Sequence, residues 1–265
     1  MAPDTLSLAG KVAIVTGSGR ENGIGAAIAV ALGRNGASVT VNFVSDSSAP
    51  RAAKVAERVE AAGGRATVVQ ANVETPEGAR KLVSETLAAF GSERIDILIN
   101  NAGNGAGQGK DLVDLTPEEV YKAFAANTFS TIFVSQAAIP HMSDGGRIVN
   151  VGTVVSRMAL PACSVYGASK AAQEYLTSAL AIELGKSKGI TVNTVAPGPT
   201  KTDAVDWFPD IPVRNVVGKK LFDGILLEER PGEPEEIADA VLLVVSSQAR
   251  WITGQYVAAS GGVTA

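Results

Sequence analysis

Short runs of β-branched residues alternate with longer alanine-rich segments along the whole chain. Seven runs read as strands: Lys11–Thr16, Ser38–Phe43, Ala66–Gln70, Ile95–Ile99, Arg147–Val151, Thr191–Val195 and Gln255–Ala258. Their near-continuous apolar character is that of strands covered on both faces. Between them, residues 23–36, 50–63, 75–91, 116–142, 164–188 and 234–247 read as helices. Thr116-Pro117-Glu118-Glu119 is a capping-box pattern with proline at the first helical position. Pro234-Glu235-Glu236 puts carboxylates where the helix dipole favours them. Such alternation predicts the α/β class: one doubly wound domain over residues 1–265, with a seven-stranded, mainly parallel sheet, helices on both faces and right-handed crossovers. No repeat or linker divides the chain. One long interruption, about 198–233, reads as a lid over a binding site.

Composition narrows the function classes. Of 265 residues, 46% are hydrophobic and 19% charged, a globular balance. A net charge of −4 without a basic run argues against nucleic acid or anionic membrane as partners. Cys163 has no second cysteine to pair with, and a lone His141 rules out a Cys/His zinc site, so no metal is expected. The first residues lack a signal-peptide pattern, and the aliphatic run Val241–Val245 is far short of the ~20 residues of a membrane span. A cytoplasmic protein acting on a small molecule is the expectation.

The first strand runs into Gly17-Ser18-Gly19-Arg20-Glu21-Asn22-Gly23-Ile24-Gly25 and then a small-residue helix. Glycines there permit a tight turn, let backbone approach a pyrophosphate and let the helix sit close to the sheet. The helix N-terminus adds unpaired N–H groups that suit phosphate. An ordinary tight turn is the plainer alternative, but the position between a first strand and a helix favours a dinucleotide.

Four motifs in order carry a family resemblance: Gly17…Gly23-x-Gly25, Asn100-Asn101-Ala102-Gly103, Tyr166-x-x-x-Lys170 and Pro197-Gly198. Together they resemble the short-chain dehydrogenase/reductase family over essentially the whole chain. Within it, fungal ketoreductases of the hydroxynaphthalene-reductase kind and 3-oxoacyl-carrier-protein reductases are most similar. The resemblance implies a Rossmann-type fold and a nicotinamide cofactor. It places that cofactor against Asn101, Ala102 and Gly103, against Asn72 and Val73, and against Pro197, Gly198, Thr200 and Thr202. It also implies a homotetramer built through the helices at 116–142 and 164–188 and the last strand. The sequence departs from the family in two places. Glu21-Asn22 lengthens the usual TGxxxGxG spacing, predicting a bulged loop, and Asn72 stands where many members have Asp.

The end of the second strand selects the cofactor. An NAD-binding acid is absent there; Phe43 holds the place, followed by Val44-Ser45-Asp46. Arg20 and Ser45 suit a 2′-phosphate, so NADP(H) is expected. Asp46 argues the other way if it points inward, and Arg20 alternatively is a solvated loop charge.

Tyr166 and Lys170 share a face of one predicted helix. By resemblance, Tyr166 protonates a carbonyl oxygen while Lys170 lowers the phenol's pKa and binds the nicotinamide ribose. Thr153, thirteen positions earlier, takes the place of the family's substrate-binding serine, with Ser156 and Ser164 as substitutes. Asn127 matches an asparagine that holds a proton-relay water in relatives; bonding to backbone is its plainer role. Thr200 and Thr202 are alternatively turn or cap residues. Cys163 borders the substrate mouth or simply packs. Trp207 and Phe208 in the lid suit an apolar, aromatic or polyketide-like ketone, or dock the lid to the core. The reading is therefore NADPH-dependent reduction of a ketone to a secondary alcohol. Its rivals are a 3-oxoacyl-thioester reductase and a non-reducing nucleotide-binding protein, a sensor or cyclase, on the same fold. A hydrolase lacks its G-x-S-x-G elbow and a nucleotide kinase its GK[ST] loop.

Overall fold

A computed structural model describes residues 6–105, 108–203, 223–228 and 230–264. Within them runs a seven-stranded sheet: β1 (Val12–Val15), β2 (Ser38–Phe43), β3 (Arg65–Gln70), β4 (Ile95–Asn100), β5 (Met142–Val151), β6 (Thr191–Pro197) and β7 (Tyr256–Ala259). The order is β3-β2-β1-β4-β5-β6-β7. Every neighbouring pair is parallel, so the expected "mainly parallel" sheet is wholly so.

The strand pleat sends successive side chains to opposite faces, and each face has its own core. Ala13, Val15, Ile97 and Ile99 pack beneath α1 (Ile24–Arg34), α2 (Ala49–Ala61) and the helix at Pro234–Val245. Ile14, Leu98, Ile148 and Val192 pack on the other face with side chains of α3 (Pro76–Phe90), Val134 of α5 (Ser130–Ala138) and Leu184 of α6 (Ser164–Lys188). This two-sided burial explains why the strands read as continuous apolar runs.

The helix expected over 116–142 is corrected. It divides into α4 (Pro117–Phe124), a wider π-type segment (Ala125–Phe129), α5 and a short 3-10 turn (Ile139–His141). Pro140 cannot donate the next helical hydrogen bond, and Met142 already begins β5. The capping box on Thr116 and Glu119 forms as expected. The last helix, α7 (Pro234–Val245), is capped by Glu233 against Glu236, a box with glutamate in the place the usual pattern reserves for Ser or Thr.

Because all strands are parallel, the segments leaving β1, β4, β5 and β6 emerge at one edge. The chain reverses direction across the sheet between β1 and β4, and that crevice is where doubly wound folds bind ligands.

Candidate active site

The glycine loop leaves β1 at the reversal point. Gly17 has φ +62°, and a Cβ on it would lie 2.9 Å from Ala102 Cα. A Cβ on Gly25 would lie 2.4 Å from Asn101 Nδ2 and 2.9 Å from Ser18 Cα. On Gly19 it would meet Phe43 Cβ at 2.7 Å. The loop is thus wedged between the segment after β4 and the end of β2, with no room for a side chain at these three glycines. Gly23 caps α1 without a side chain, leaving the first N–H groups of the helix, from Ile24 onward, for an anion.

Several predicted residues hold this loop through their polar groups. Asn101 donates from Nδ2 to the carbonyls of Thr16 at 2.8 Å and Gly17 at 3.2 Å. The backbone N–H groups of Asn101 and Ala102 both donate to Thr16 Oγ1 at 2.9 Å. Ser18 is buried, its hydroxyl donating to Val15 O at 2.7 Å and accepting from Asn42 N–H at 3.1 Å, so it serves the loop's shape. Sequence reasoning missed Thr16 and Asn42 as site residues. Asn42 accepts from Gly17 N–H at 3.0 Å and donates to Ala71 O at 3.0 Å, tying the loop to the end of β3. A buried asparagine inside an otherwise β-branched strand was the available signal.

The Glu21-Asn22 insertion forms the expected bulge and reaches two other elements. Glu21 faces Lys54 at 3.5 Å, and its carbonyl accepts from Arg58 at 2.8 Å, both on α2. Asn22 donates to Asp203 at 3.0 Å, and Arg51 pairs with the same carboxylate. Arg20 is exposed and close enough to Asp203 to help hold its carboxyl below the usual range, after the larger effects of Arg51 and Asn22. Asp46 accepts from Gln70 Nε2 at 2.6 Å. Ser45 shares hydrogen bonds with Ser47 at 3.0 Å and Ser48 at 2.8 Å. Phe43 and Val73 bury their side chains in the two cores, so only their backbone can face a ligand. Asn72 accepts from Glu74 N–H at 3.1 Å in an Asx turn. At the end of β6, Pro197 is buried, and a Cβ on Gly198 would lie 2.8 Å from Ser260 Cα. Thr200 turns its hydroxyl back to Gly198 O at 3.0 Å, the turn role, while Thr202 is half-buried beside it.

The chemical groups converge at the mouth between β4 and β5. Thr153 begins the turn after β5, and its hydroxyl accepts from Val155 N–H at 3.3 Å. The Thr153 side chain stands beside the Tyr166 phenol and acts to lower its pKa. Lys170, one turn further along α6, is buried and donates to Val151 O at 2.8 Å and Gln173 Oε1 at 3.3 Å. Gly103 lets this corner close: its Cβ would lie 2.7 Å from Asn127 Oδ1 and 3.4 Å from Lys170 Nζ. Asn127 sits in the π segment, donating to Asn104 O at 3.0 Å and Ser169 Oγ at 3.1 Å, and accepting from Asn104 N–H at 3.0 Å. Ser169 in turn donates to Tyr166 O at 2.8 Å. Ser169 and Gln173 carry no signal in the spacing; they are found only once α6 meets the π segment. Ser156 points away from Tyr166, donating to Thr153 O at 2.8 Å or Glu174 at 2.9 Å. Cys163 is buried at the foot of α6, and burial pushes its thiol up. Trp207 and Phe208 lie outside the described residues.

Burial is the largest influence on Tyr166 and pushes the phenol up; the Thr153 hydroxyl opposes it, and Cys163 adds to it. Burial brings Lys170 itself down to about 8. Around neutrality the phenol is therefore protonated and the lysine charged.

A glycine-walled nucleotide crevice beside a Thr–Tyr–Lys cluster defines a dinucleotide-dependent oxidoreductase. The family model described as enoyl-(acyl carrier protein) reductase matches residues 17–264, and the chain belongs to the short-chain dehydrogenase/reductase family. It is 41% identical to the short-chain dehydrogenase/reductase FrzI of a Cladobotryum species, over 97% of both chains. It is 35% identical to a hydroxynaphthalene reductase-like protein of Metarhizium guizhouense, over 97% of this chain and 96% of the relative. Among solved structures, the angucycline C-6 ketoreductase LanV with bound NADP is similar at a TM-score of 0.86 and 39% identity, covering 97% of this chain and 96% of LanV. Among the described residues no helix is long and apolar enough to cross a membrane, and no three His, Cys, Asp or Glu side chains are grouped to hold a metal ion.

Proposed function

We propose that the protein reduces an apolar, aromatic or polyketide-like ketone to a secondary alcohol with NADPH. The observation that carries this reading is that Tyr166, Thr153 and buried Lys170 stand together at the crevice where the sheet reverses. Bound NADPH supplies the hydride. Tyr166 gives its proton to the carbonyl oxygen as charge develops there, and Thr153 donates a hydrogen bond to the same oxygen. Lys170 holds the nicotinamide ribose and keeps positive charge near the phenolate that forms. Asn127 holds the loop after β4 and the π segment together behind the lysine, where a relay water would sit. Arg20 and Ser45 take the 2′-phosphate, and the glycine loop with the α1 N-terminus takes the pyrophosphate. Asn72 meets the adenine. Thr200, Thr202 and the Pro197–Gly198 turn meet the nicotinamide side. Cys163 borders the substrate mouth, and Trp207 and Phe208 are the apolar side chains assigned to the substrate. A naphthalene-type and an angucycline-type reductase among similar proteins support a ring ketone as substrate. The protein works in the cytoplasm as a homotetramer.

The test is a fluorescence titration with NADPH and NADH, followed by NADPH consumption with acetophenone and β-tetralone. The account predicts tighter NADPH binding and consumption with at least one ketone. Arg20→Ala should weaken NADPH binding about tenfold more than NADH binding. Equal losses would remove Arg20 from the 2′-phosphate site, and tight binding without consumption would favour a non-reducing nucleotide-binding protein.

A further inference from the structure

Thr153 is held from behind by residues that no motif includes. Its carbonyl accepts from Ser156 N–H at 3.3 Å, from Ser156 Oγ at 2.8 Å and from Tyr256 Oη at 3.3 Å. Tyr256 is the first residue of β7, 103 positions away in sequence. Glu174, two turns beyond Tyr166 on α6, accepts from Arg157 Nε at 2.6 Å and lies 2.9 Å from Ser156 Oγ, as the alternative acceptor for that hydroxyl's one proton. The Arg157 guanidinium lies 3.8 Å from the centre of the Tyr256 ring. Four side chains from the turn, α6 and β7 thus close a ring around one carbonyl.

That carbonyl matters because the Thr153 hydroxyl is short and stiff. A β-branched side chain has few rotamers, so the hydroxyl's aim is set by the backbone that carries it. Its accepting bond from Val155 fixes a second point of the same turn. Holding the carbonyl leaves the hydroxyl proton directed toward the Tyr166 side. Misplacement by a fraction of an ångström costs rate without costing cofactor affinity.

We propose that Tyr256, Ser156, Glu174 and Arg157 form a positioning cluster that aims the Thr153 hydroxyl at the substrate carbonyl, with Tyr256 reaching the site from the last strand. The inference rests on the reduction reading above. Its test is a double-mutant cycle on β-tetralone reduction, with the NADPH dissociation constant measured by fluorescence for every variant. Tyr256→Phe keeps the ring under Arg157 and removes only the donor. It should lower kcat about fivefold in the native background, with NADPH affinity and KM within about twofold. In a Thr153→Ala background the same change should alter kcat by less than about twofold, because the hydroxyl it aims is gone. Glu174→Gln, measured in the same two backgrounds, should behave likewise. Equal losses in both backgrounds, or no loss in the native one, would overturn the positioning role while leaving the reductase intact. A native protein that consumes no NADPH with either ketone would instead remove the reduction reading, and this proposal with it.

Discussion

Lys170 is the residue on which burial and chemistry meet most directly. Its folded pKa is near 8, while an unfolded lysine stays charged until about 10.4. Between those values the folded chain has released a proton that the unfolded chain still holds, so stability rises with pH across that window. Activity should move the opposite way. Reduction needs the Tyr166 proton and the Lys170 charge, so kcat should be flat through neutrality and fall as pH rises past about 8. Lys170→Met should be inactive and should lack this pH-dependent gain in unfolding temperature. A native profile with neither feature would mean that the lysine is not the cation this account needs. Tyr166, Lys170 and Thr153 were named through the family resemblance, and the helix repeat explains why the first two share a face of α6. The upward push of burial on the tyrosine was not legible, since it depends on how the fold encloses the phenol.

At the scale of elements, the glycine loop and the π segment do the positioning. The need for glycine was readable at Gly17 and Gly25, whereas the wall they press on was not. Gly25→Ala would drive a methyl into Asn101 Nδ2 and the Ser18 backbone. We expect it to destabilise the fold by about 2 kcal/mol and to weaken NADPH binding at least tenfold. Denaturant unfolding and fluorescence titration measure the two effects. A variant with native stability and affinity would show that the loop is slack. Residues 116–142 misled because apolar spacing continues through the π segment, and a helical pattern cannot register one residue inserted into a turn. The same insertion places Asn127 against Asn104 and Ser169, so the failure of the pattern falls at the candidate site.

For the molecule as a whole, alternation and two-sided burial made the α/β class and strand sequence readable, because each strand had to be apolar on both faces. The lateral order of the strands was not legible, since crossovers leave no mark in local pattern. Surface apolar residues extend the picture beyond one chain. Tyr121 on α4, Tyr175 and Ile182 on α6 and Trp251 before β7 are all exposed, the last at 96%. Homotetramer formation would cover α4, α6 and the β7 edge, and sedimentation velocity should give a single species of four chains; a monomer at micromolar concentration would contradict it. The central claim is the acid role of Tyr166, and it is most directly tested by comparing native protein with Tyr166→Phe for NADPH affinity and for NADPH consumption with β-tetralone. The account predicts affinity within about threefold and turnover reduced at least a hundredfold. Turnover retained in the phenylalanine variant would contradict it.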